Sequence, residues 1–182
     1  MGHPPQARFS RAANRDTVPA VEEQLFLRQR ALSLWNEGQR LQLDGDIARA
    51  VELYDQSIAV FPTAEAHTCR AWALSFQNRL DEAIAECKRA IAVDPSFGNP
   101  YNDIGSYLIA LGKGDEAVEW LERAKRAPRY KPRHFPYVNL GRLFAEQGMV
   151  ARAIAELEVA QRLCPDEPAI VATLAALRQR IN

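Results

Sequence analysis

The sequence is poor in cysteine and glycine, and it has no long apolar run. Its three cysteines, Cys69, Cys87 and Cys164, are widely spaced and follow no pattern. Such usage argues against a disulfide framework or a zinc site and fits reduced thiols in a cytosol. No window approaches the roughly 18 consecutive apolar residues of a membrane-spanning helix. These absences predict a cytoplasmic protein without a membrane span.

An excess of charge of one sign is also absent. Lys plus Arg and Asp plus Glu both total 23, so the net charge favours no class of charged partner. Hydrophobic residues make up 47% of the 182 residues and only 9 are glycine, a composition typical of a soluble helical protein. The length suits one compact domain or a short array of repeats.

The N-terminal segment lacks the apolar core of a secretory signal. Its arginines precede the first acid, Asp16, as in a mitochondrial presequence, and this leaves a mitochondrial location as an alternative. We expect residues 1–18, with Pro4 and Pro5 among them, to form a disordered tail. A helix is expected to start near Thr17, and "VEEQLFLRQR" either lengthens the first helix of the array or forms a short helix of its own.

Four segments of the chain share the same pattern. An alanine recurs with spacings of 33, 34 and 36 residues, at Ala50, Ala83, Ala117 and Ala153. A period in this range is typical of a solenoid built from stacked repeats. A small residue, which would let two helices approach closely, recurs at Gly38, Ala71, Gly105 and Gly141. Prolines that would end helices follow at Pro62, Pro95 and Pro165.

Each unit is predicted to contain two helices joined by a turn. In the third unit, one helical face has i, i+3, i+4, i+7 spacing, with Tyr101, Ile104, Gly105 and Leu108. The turn "LGKGDE" follows, in which Gly112 and Gly114 can adopt positive φ. The second helix is predicted to begin at Asp115 as its N-cap.

This pattern resembles the tetratricopeptide repeat, in which an aromatic residue, Leu-Gly, Gly, Ala and Pro recur at fixed offsets. The fourth unit matches it most fully, with Tyr137, Leu140, Gly141, Phe144, Gly148, Ala153, Leu157, Ala160 and Pro165. The resemblance implies an all-α, right-handed α-solenoid of helix-turn-helix repeats. We place four repeats in residues 19–165, at about 31–63, 64–97, 98–133 and 134–165.

Residues 166–182 are predicted to form a helix that caps the last repeat. Its sealing face is expected to contain Ile170, Val171, Leu174, Leu177 and Ile181.

Signatures of catalysis and cofactor binding are not found. The segment "GKGDEA" matches G-x-G-x-x-A, but it lies between two predicted helices rather than after a strand, so it is interpreted as a turn. The histidines are far apart, and none pairs with a cysteine at metal-ligand spacing. His67 is interpreted as a core residue, and most carboxylates as solvated groups on the second helices. We therefore predict no catalytic residue, no metal and no cofactor.

The resemblance implies that a protein or peptide partner binds in a concave groove lined by the first helices. Residues offset from the packing face would line it: Trp35, Asn36, Gln39, Gln42, Thr68, Cys69, Trp72, Phe76, Asn102, Asp103, Ser106, Val138, Asn139 and Arg142. Aromatic rings beside amides suit an extended or helical peptide, because rings supply contact area and amides bond its backbone. The alternative is that Trp35 and Trp72 only pack against neighbouring helices.

Asn102 and Asn139 have no evident role in a core, because Asn is a mediocre helix former. If they are exposed, replacing either with Ala should leave folding almost unchanged.

Chaperone-binding members of the family hold a peptide's C-terminal carboxylate with Lys, Asn and Arg side chains of the first three repeats. The matching positions here contain no basic residue: Trp35, Gln39, Cys69, Asn99 and Asp103. A clamp for a chaperone tail is therefore not expected.

The segment "RAPRYKPRHFPYVNLG" (126–141) joins the third and fourth repeats. Pro128 and Pro132 interrupt helices, which makes it a joint. It also belongs to a stretch without acids, and we define the basic connector as Arg123, Lys125, Arg126, Arg129, Lys131 and Arg133. These cations could bind a polyanion or nucleic acid, or they could only satisfy carbonyls at the end of the preceding helix.

Two further alternatives stay open. The chain could be a regulatory subunit of an enzyme, active only in a complex. The connector also resembles that of pilotin-type tetratricopeptide proteins of type IV pilus assembly. Those proteins are lipoproteins with an acylated N-terminal cysteine, whereas this sequence has no cysteine before Cys69.

Overall fold

The polypeptide forms an array of helices joined by short turns. The structure, a computed structural model, describes residues 17–180, and this range contains helices and no β-strand. The helices are α1 (Thr17–Leu43), α2 (Ile47–Val60), α3 (Ala64–Phe76), α4 (Leu80–Val93), α5 (Asn99–Ala110), α6 (Gly114–Arg126), α7 (Phe135–Glu146), α8 (Val150–Leu163) and α9 (Pro168–Gln179). The predicted all-α class is confirmed.

The helices pack in consecutive antiparallel pairs: α1 with α2, α3 with α4, α5 with α6, and α7 with α8. The first helix of each pair also contacts the first helix of the next, so α1, α3, α5 and α7 form one side of the array. This arrangement is an α-solenoid. It brings side chains that are more than thirty positions apart in the chain onto one shared surface.

Each pair of helices is connected by a turn with one residue in the left-handed region. Gly45, Gly112 and Gly148 have φ of 86°, 73° and 75°, and Asn78 takes the equivalent place with φ of 58°. Glycine has no steric cost there, and asparagine is among the few other residues that tolerate it. The second unit thus keeps the turn without its glycine.

Two details predicted for the third turn are wrong. Gly114 is the first residue of α6 rather than a positive-φ residue, and a Cβ on it would lie 2.7 Å from Leu143 Cδ1. Asp115 lies within the first turn of α6, and the N-cap is Lys113, whose side chain makes no capping bond. Close packing against α7 therefore explains the small residue at 114.

Close helix–helix contact explains the small residues predicted to allow it. A Cβ on Gly141 would lie 2.5 Å from Leu157 Cγ, sixteen residues further on, so a larger residue cannot fit without a shift. In the second unit, Ala71 occupies the position of Gly141 and Cys87 occupies the position of Leu157. Ala71 and Cys87 belong to one buried cluster. A larger residue on the first helix is thus paired with a smaller one on the second. The same close contact recurs between Gly38 and Tyr54 and between Gly105 and Leu121.

Helix α1 is the longest, with 27 residues against 14 in α2. Thr17, near which the helix was predicted to start, is the first described residue and belongs to α1, and the segment 21–30 lengthens this helix rather than forming its own. Its N-terminal part extends beyond α2 and leaves apolar side chains exposed: Val21, Leu25, Phe26 and Leu32. The predicted disordered tail lies outside the described residues, apart from positions 17 and 18, which belong to α1.

Helix α9 covers the end of the array through one apolar face. Ile170, Leu174 and Leu177 are buried against α8 and its neighbours. Val171 is 44% exposed, so its predicted sealing role is wrong, because it follows Ile170 directly and lies about 100° away around the helix. Ile181 lies outside the described residues.

The segment between α6 and α7 is held against the preceding unit. The backbone N–H of Arg129 donates to the carbonyl of Ser96, and its own carbonyl accepts from Gly98 N–H, both at 3.0 Å. Tyr130 is buried next to Tyr101 in a small cluster. The connector is therefore an ordered joint between the third and fourth hairpins.

Candidate functional site

Helices α3, α5 and α7 and the segment between α6 and α7 surround a cleft with a volume of about 540 Å³. Seven of the predicted groove residues line it: Thr68, Cys69, Trp72, Asn102, Asp103, Ser106 and Asn139. The structure adds Asn99, Tyr130, Pro132 and Phe135. Tyr130 and Pro132 lie between α6 and α7, and Phe135 is the first residue of α7. The segment that was predicted to be a joint thus also contributes to the lining of the cleft.

Trp72 presents the largest apolar surface beside the cleft. Its side chain is 49% exposed, and its ring centroid lies 5.3 Å from that of Phe76. Phe76 is 61% exposed and does not line the cleft itself. Because both rings are exposed, Trp72 does not only pack against neighbouring helices, and its ring is available to a partner.

Asn102 and Asn139 are joined across the cleft wall. The Nδ2 of Asn139 donates to the Oδ1 of Asn102 at 3.0 Å, linking α7 to α5. Asn102 is only 8% exposed, so the expectation of two exposed asparagines is wrong at this position. The sequence pattern identified the correct surface but could not show that the third and fourth hairpins bring these two amides into contact.

Among the described residues, Asp103 is the only charged side chain that lines the cleft. Its Oδ1 accepts a long bond of 3.4 Å from Asn102 Nδ2, and within residues 17–180 it forms no ion pair. Burial raises the pKa of Asp103 to about 7 and outweighs the bond from Asn102, which lowers it. The carboxylate therefore stands in a partly dry site without a compensating cation.

Several predicted groove residues lie elsewhere. Trp35 is half-buried in a cluster with Leu41 and Tyr54, and its Nε1 donates to Cys69 Sγ at 3.2 Å, which agrees with the packing alternative. Gln39 donates to the same sulfur at 3.8 Å. Gln42 is buried and accepts from the Tyr54 hydroxyl at 2.7 Å, so its predicted place in the groove is wrong.

The other displaced residues lie on the rim or at the ends of the array. Asn36 is exposed on α1 and does not line the cleft. Val138 and Arg142 line a separate cavity of about 370 Å³ between α7 and α9. Trp35 lines another of about 420 Å³ along the N-terminal part of α1. The predicted groove residues therefore line more than one cavity along the array.

Most of the basic connector is engaged by other protein groups. Arg129 pairs with Glu65 and Asp94, each at 2.7 Å. Lys125 pairs with Glu122 at 2.7 Å and with Glu156 at 2.8 Å. Glu65, Asp94 and Glu156 come from other parts of the sequence, whereas Glu122 lies one helical turn before Lys125. The fold thus neutralises two of the six cations of the basic connector.

The remaining cations of the basic connector have mixed surroundings. The guanidinium of Arg123 lies 4.6 Å from the ring centroid of Trp120. Arg133 donates to the carbonyls of Ala127 and Pro128, both at 3.2 Å, as the capping alternative predicts. Arg126 and Lys131 are exposed and form no ion pair within the described range.

A buried charged network lies between α3 and α4, and the sequence reasoning missed it. Glu86 is only 2% exposed, bonds His67 Nδ1 at 2.5 Å and pairs with Arg70 at 2.9 Å, and it also contacts Arg89. Burial alone would raise the pKa of Glu86, but its contacts with His67 and the arginines outweigh burial and lower it. His67 is buried, as expected, whereas the interpretation of second-helix carboxylates as solvated is wrong for Glu86.

Neither a metal cluster nor a membrane span is found in the described part of the chain. Across residues 17–180, no three His, Cys, Asp or Glu side chains are placed to hold a metal ion. None of the helices in that range is both long and apolar enough to cross a bilayer.

Comparison with known sequences gives relatives that share part of the chain. The TPR repeat-containing thioredoxin TTL4 of Arabidopsis thaliana is 36% identical over 78 residues, which are 42% of this chain and 11% of that protein. Across the curated relatives compared, the chain spans between 11% and 34% of their length. The likeness is thus to a repeat region and not to those whole proteins.

Two solved structures extend the comparison to the fold. Pseudomonas aeruginosa pilF matches with a TM-score of 0.79 at 21% identity, over 85% of this chain and 70% of that one, which shows a shared fold. The second TPR of Spaghetti (RPAP3), bound to the HSP90 peptide SRMEEVD, matches with a TM-score of 0.54 at 28% identity. That match covers 59% of this chain and 98% of that one.

The family assignment follows from a direct match to the repeat itself. The family model described as "Tetratricopeptide repeat" matches residues 35–97 and 70–132, which together cover more than half of the chain. The helical hairpins, their close-contact glycines and the turns with one left-handed residue are the structural counterpart of this match. The chain belongs to the tetratricopeptide repeat family.

Proposed function

We propose that the chain is a non-catalytic adaptor that binds a segment of a protein partner in the cleft between α3, α5 and α7. The observation that carries this proposal is the exposed indole of Trp72 beside a wall of asparagine amides. An apolar anchor next to groups that both donate and accept hydrogen bonds is suited to a peptide, whose backbone needs both.

The relatives support this proposal in a general way. A tetratricopeptide repeat domain that resembles this chain, that of Spaghetti, was solved with a peptide bound. The cleft of this chain contains Asp103 and Asn99, and its described lining residues include no lysine or arginine. A free C-terminal carboxylate is therefore a poor ligand for this cleft.

The test is a selection of peptides from a phage-displayed library of short random sequences, with the full chain as bait. Selected peptides are then synthesised and titrated by isothermal titration calorimetry, whose readout does not depend on the tryptophan that is replaced. We expect Trp72→Ala to weaken binding about thirtyfold, because loss of an aromatic anchor typically costs about 2 kcal/mol or more. The matched control is Leu163→Ala, which removes an exposed apolar side chain at the end of α8.

Both variants are compared with the wild type by circular dichroism before titration. If the selected peptides bind Trp72→Ala as tightly as the wild type, the cleft is not their site and the proposal is wrong. Failure to select any peptide would also count against it.

Polyanion or nucleic-acid binding through the basic connector is the second candidate. Arg126 and Lys131 are the observation in its favour, because they are exposed without ion pairs in the described range. Arg129 and Lys125 are already paired with acids, which reduces the positive surface that is left. Binding of a single-stranded oligonucleotide at low salt, weakened steeply by added salt, would support this candidate.

A further inference from the structure

Among residues 17–180, the cleft lining contains one charged side chain and no cation to neutralise it. Asp103 lies on α5 and faces the cleft, whose other lining residues are neutral. The titratable groups near it are Cys69 on α3, Cys87 on α4, Tyr107 on α5 and Tyr130 before α7. None of these four side chains is a cation. A carboxylate placed like this is costly unless it is paired, because burial disfavours the charged form.

Aromatic rings accompany this carboxylate in the cleft lining. Trp72, Tyr130 and Phe135 contribute rings from α3, the connector and α7. A cation is attracted to the face of an aromatic ring, most strongly to tryptophan, and arginine can also stack on it. Rings and one unpaired carboxylate form the surroundings that a basic side chain requires.

The neighbouring amides complete the polar part of the cleft. Asn102 holds Asp103 through its Nδ2 and accepts from Asn139, so the donors and acceptors of this wall are fixed in place. The second carboxylate oxygen of Asp103 has no hydrogen-bond partner within the described residues. It is the oxygen available to an external N–H donor.

We propose that the cleft selects a basic protein segment, with one arginine or lysine side chain of the partner bound to Asp103 and packed against Trp72. This inference rests on the proposed function, since it names the chemistry of the segment that the cleft would bind. A charge pair formed in a partly desolvated cleft contributes to specificity, because acidic segments would meet an unpaired carboxylate.

Binding of a cation by Asp103 should depend on pH. The pKa of free Asp103 is about 7, raised by burial, so a cation must displace a proton below neutral pH. Burial raises the pKa of both Cys69 and Tyr130, which keeps these neighbours uncharged across the same range. Affinity should therefore rise about tenfold between about pH 6 and pH 8.

The test uses the peptides selected above from the random phage-displayed library. We expect arginine and lysine to be enriched over the unselected library. For one such peptide, replacing its basic residue with glutamine should weaken binding to the wild type about tenfold or more. Asp103→Asn should bind both peptides with similar, weaker affinity and lose the dependence on pH. Glu119→Gln, which removes an exposed carboxylate of α6, is the matched control and should behave like the wild type.

The two proposals fail in different ways. Peptides that bind through Trp72 but show no enrichment in basic residues, or that bind Asp103→Asn unchanged, would overturn the basic-segment inference and leave the adaptor role standing. Peptides whose binding ignores Trp72→Ala would overturn both.

Discussion

The side-chain amide of Asn139 on α7 donates to that of Asn102 on α5, 3.0 Å away, and so joins two hairpins through a pair of neutral side chains. Helix α6 separates these residues in the chain, but the solenoid places the two first helices side by side. The bond fixes the wall of the cleft at the place where a peptide backbone would lie.

The first prediction concerns this bond. Asn102→Ala and Asn139→Ala should each lower the free energy of unfolding by about 1 kcal/mol, partly offset by the better helix propensity of alanine. A double-mutant cycle in urea should give a coupling of about 0.5–1.5 kcal/mol. Ser106→Ala combined with Asn139→Ala is the control pair in the same cleft. The effects of these two substitutions on the free energy of unfolding should be additive. Additive effects for the asparagine pair would show that the bond has no energetic role.

The second prediction concerns Asp103 in the free protein. Its pKa is about 7 when folded and near 3.8 when unfolded, so the folded state binds the proton more tightly. The stabilising effect of this group is complete below about pH 4 and is lost as the pH rises to about 7. Asp103→Asn should therefore match the wild type in Tm near pH 4 and exceed it by a few degrees near pH 8. Thermal melts at both pH values check this prediction. If Asp103→Asn differs from the wild type in Tm by the same amount at pH 4 and at pH 8, the carboxylate is not buried without a partner.

The third prediction concerns helix contact. Gly141→Ala should lower stability by about 1–3 kcal/mol, because its Cβ would overlap Leu157. The second hairpin suggests the compensation, since it combines Ala71 with Cys87 at the same two places. The double variant Gly141→Ala, Leu157→Cys should therefore be at least about 1 kcal/mol more stable than the sum of the single effects predicts. If the two single effects on the free energy of unfolding, measured with denaturant, are strictly additive, the residue sizes at positions 141 and 157 do not compensate each other.

The fourth prediction concerns the buried network. Glu86→Gln should destabilise the fold by about 3–5 kcal/mol at neutral pH, because the buried His67 loses its charged partner and Arg70 keeps only the exposed Asp55. The pKa of Glu86 is lowered in the folded state, so its stabilisation is present above about pH 4.5 and is lost as the pH falls further. The difference from the wild type should then shrink in acid. Glu82→Gln, at an exposed pair with Arg79, should have no measurable effect.

Local signals were enough to predict the fold. The 33- to 36-residue period, the small residues and the prolines repeat within the sequence, and each acts through contacts inside one hairpin. Turn details were predicted less well. Residue 114 is small because it packs against Leu143 of the next hairpin, and not because its own turn requires a glycine.

The cleft was predicted only in part for the same reason. Trp72 and Asp103 follow from helix periodicity, whereas Tyr130 and Phe135 reach the cleft because the connector folds back on the third hairpin. The pairing of Arg129 with Glu65 joins residues 64 positions apart. Such a contact depends on how hairpins stack, and no local pattern in the sequence encodes it.

The central claim is that the cleft between α3, α5 and α7 is the partner site, and side-chain N–H signals test it most directly. A two-dimensional ¹H–¹⁵N NMR titration of the labelled chain with a selected peptide reports separately on the indole of Trp72 and the amides of Asn99, Asn102 and Asn139. We predict that these signals shift together, while the indole of Trp120 on α6, a helix that does not line the cleft, stays in place. Shifts confined to α2, α4, α6 and α8, or to residues 126–131, would contradict the claim.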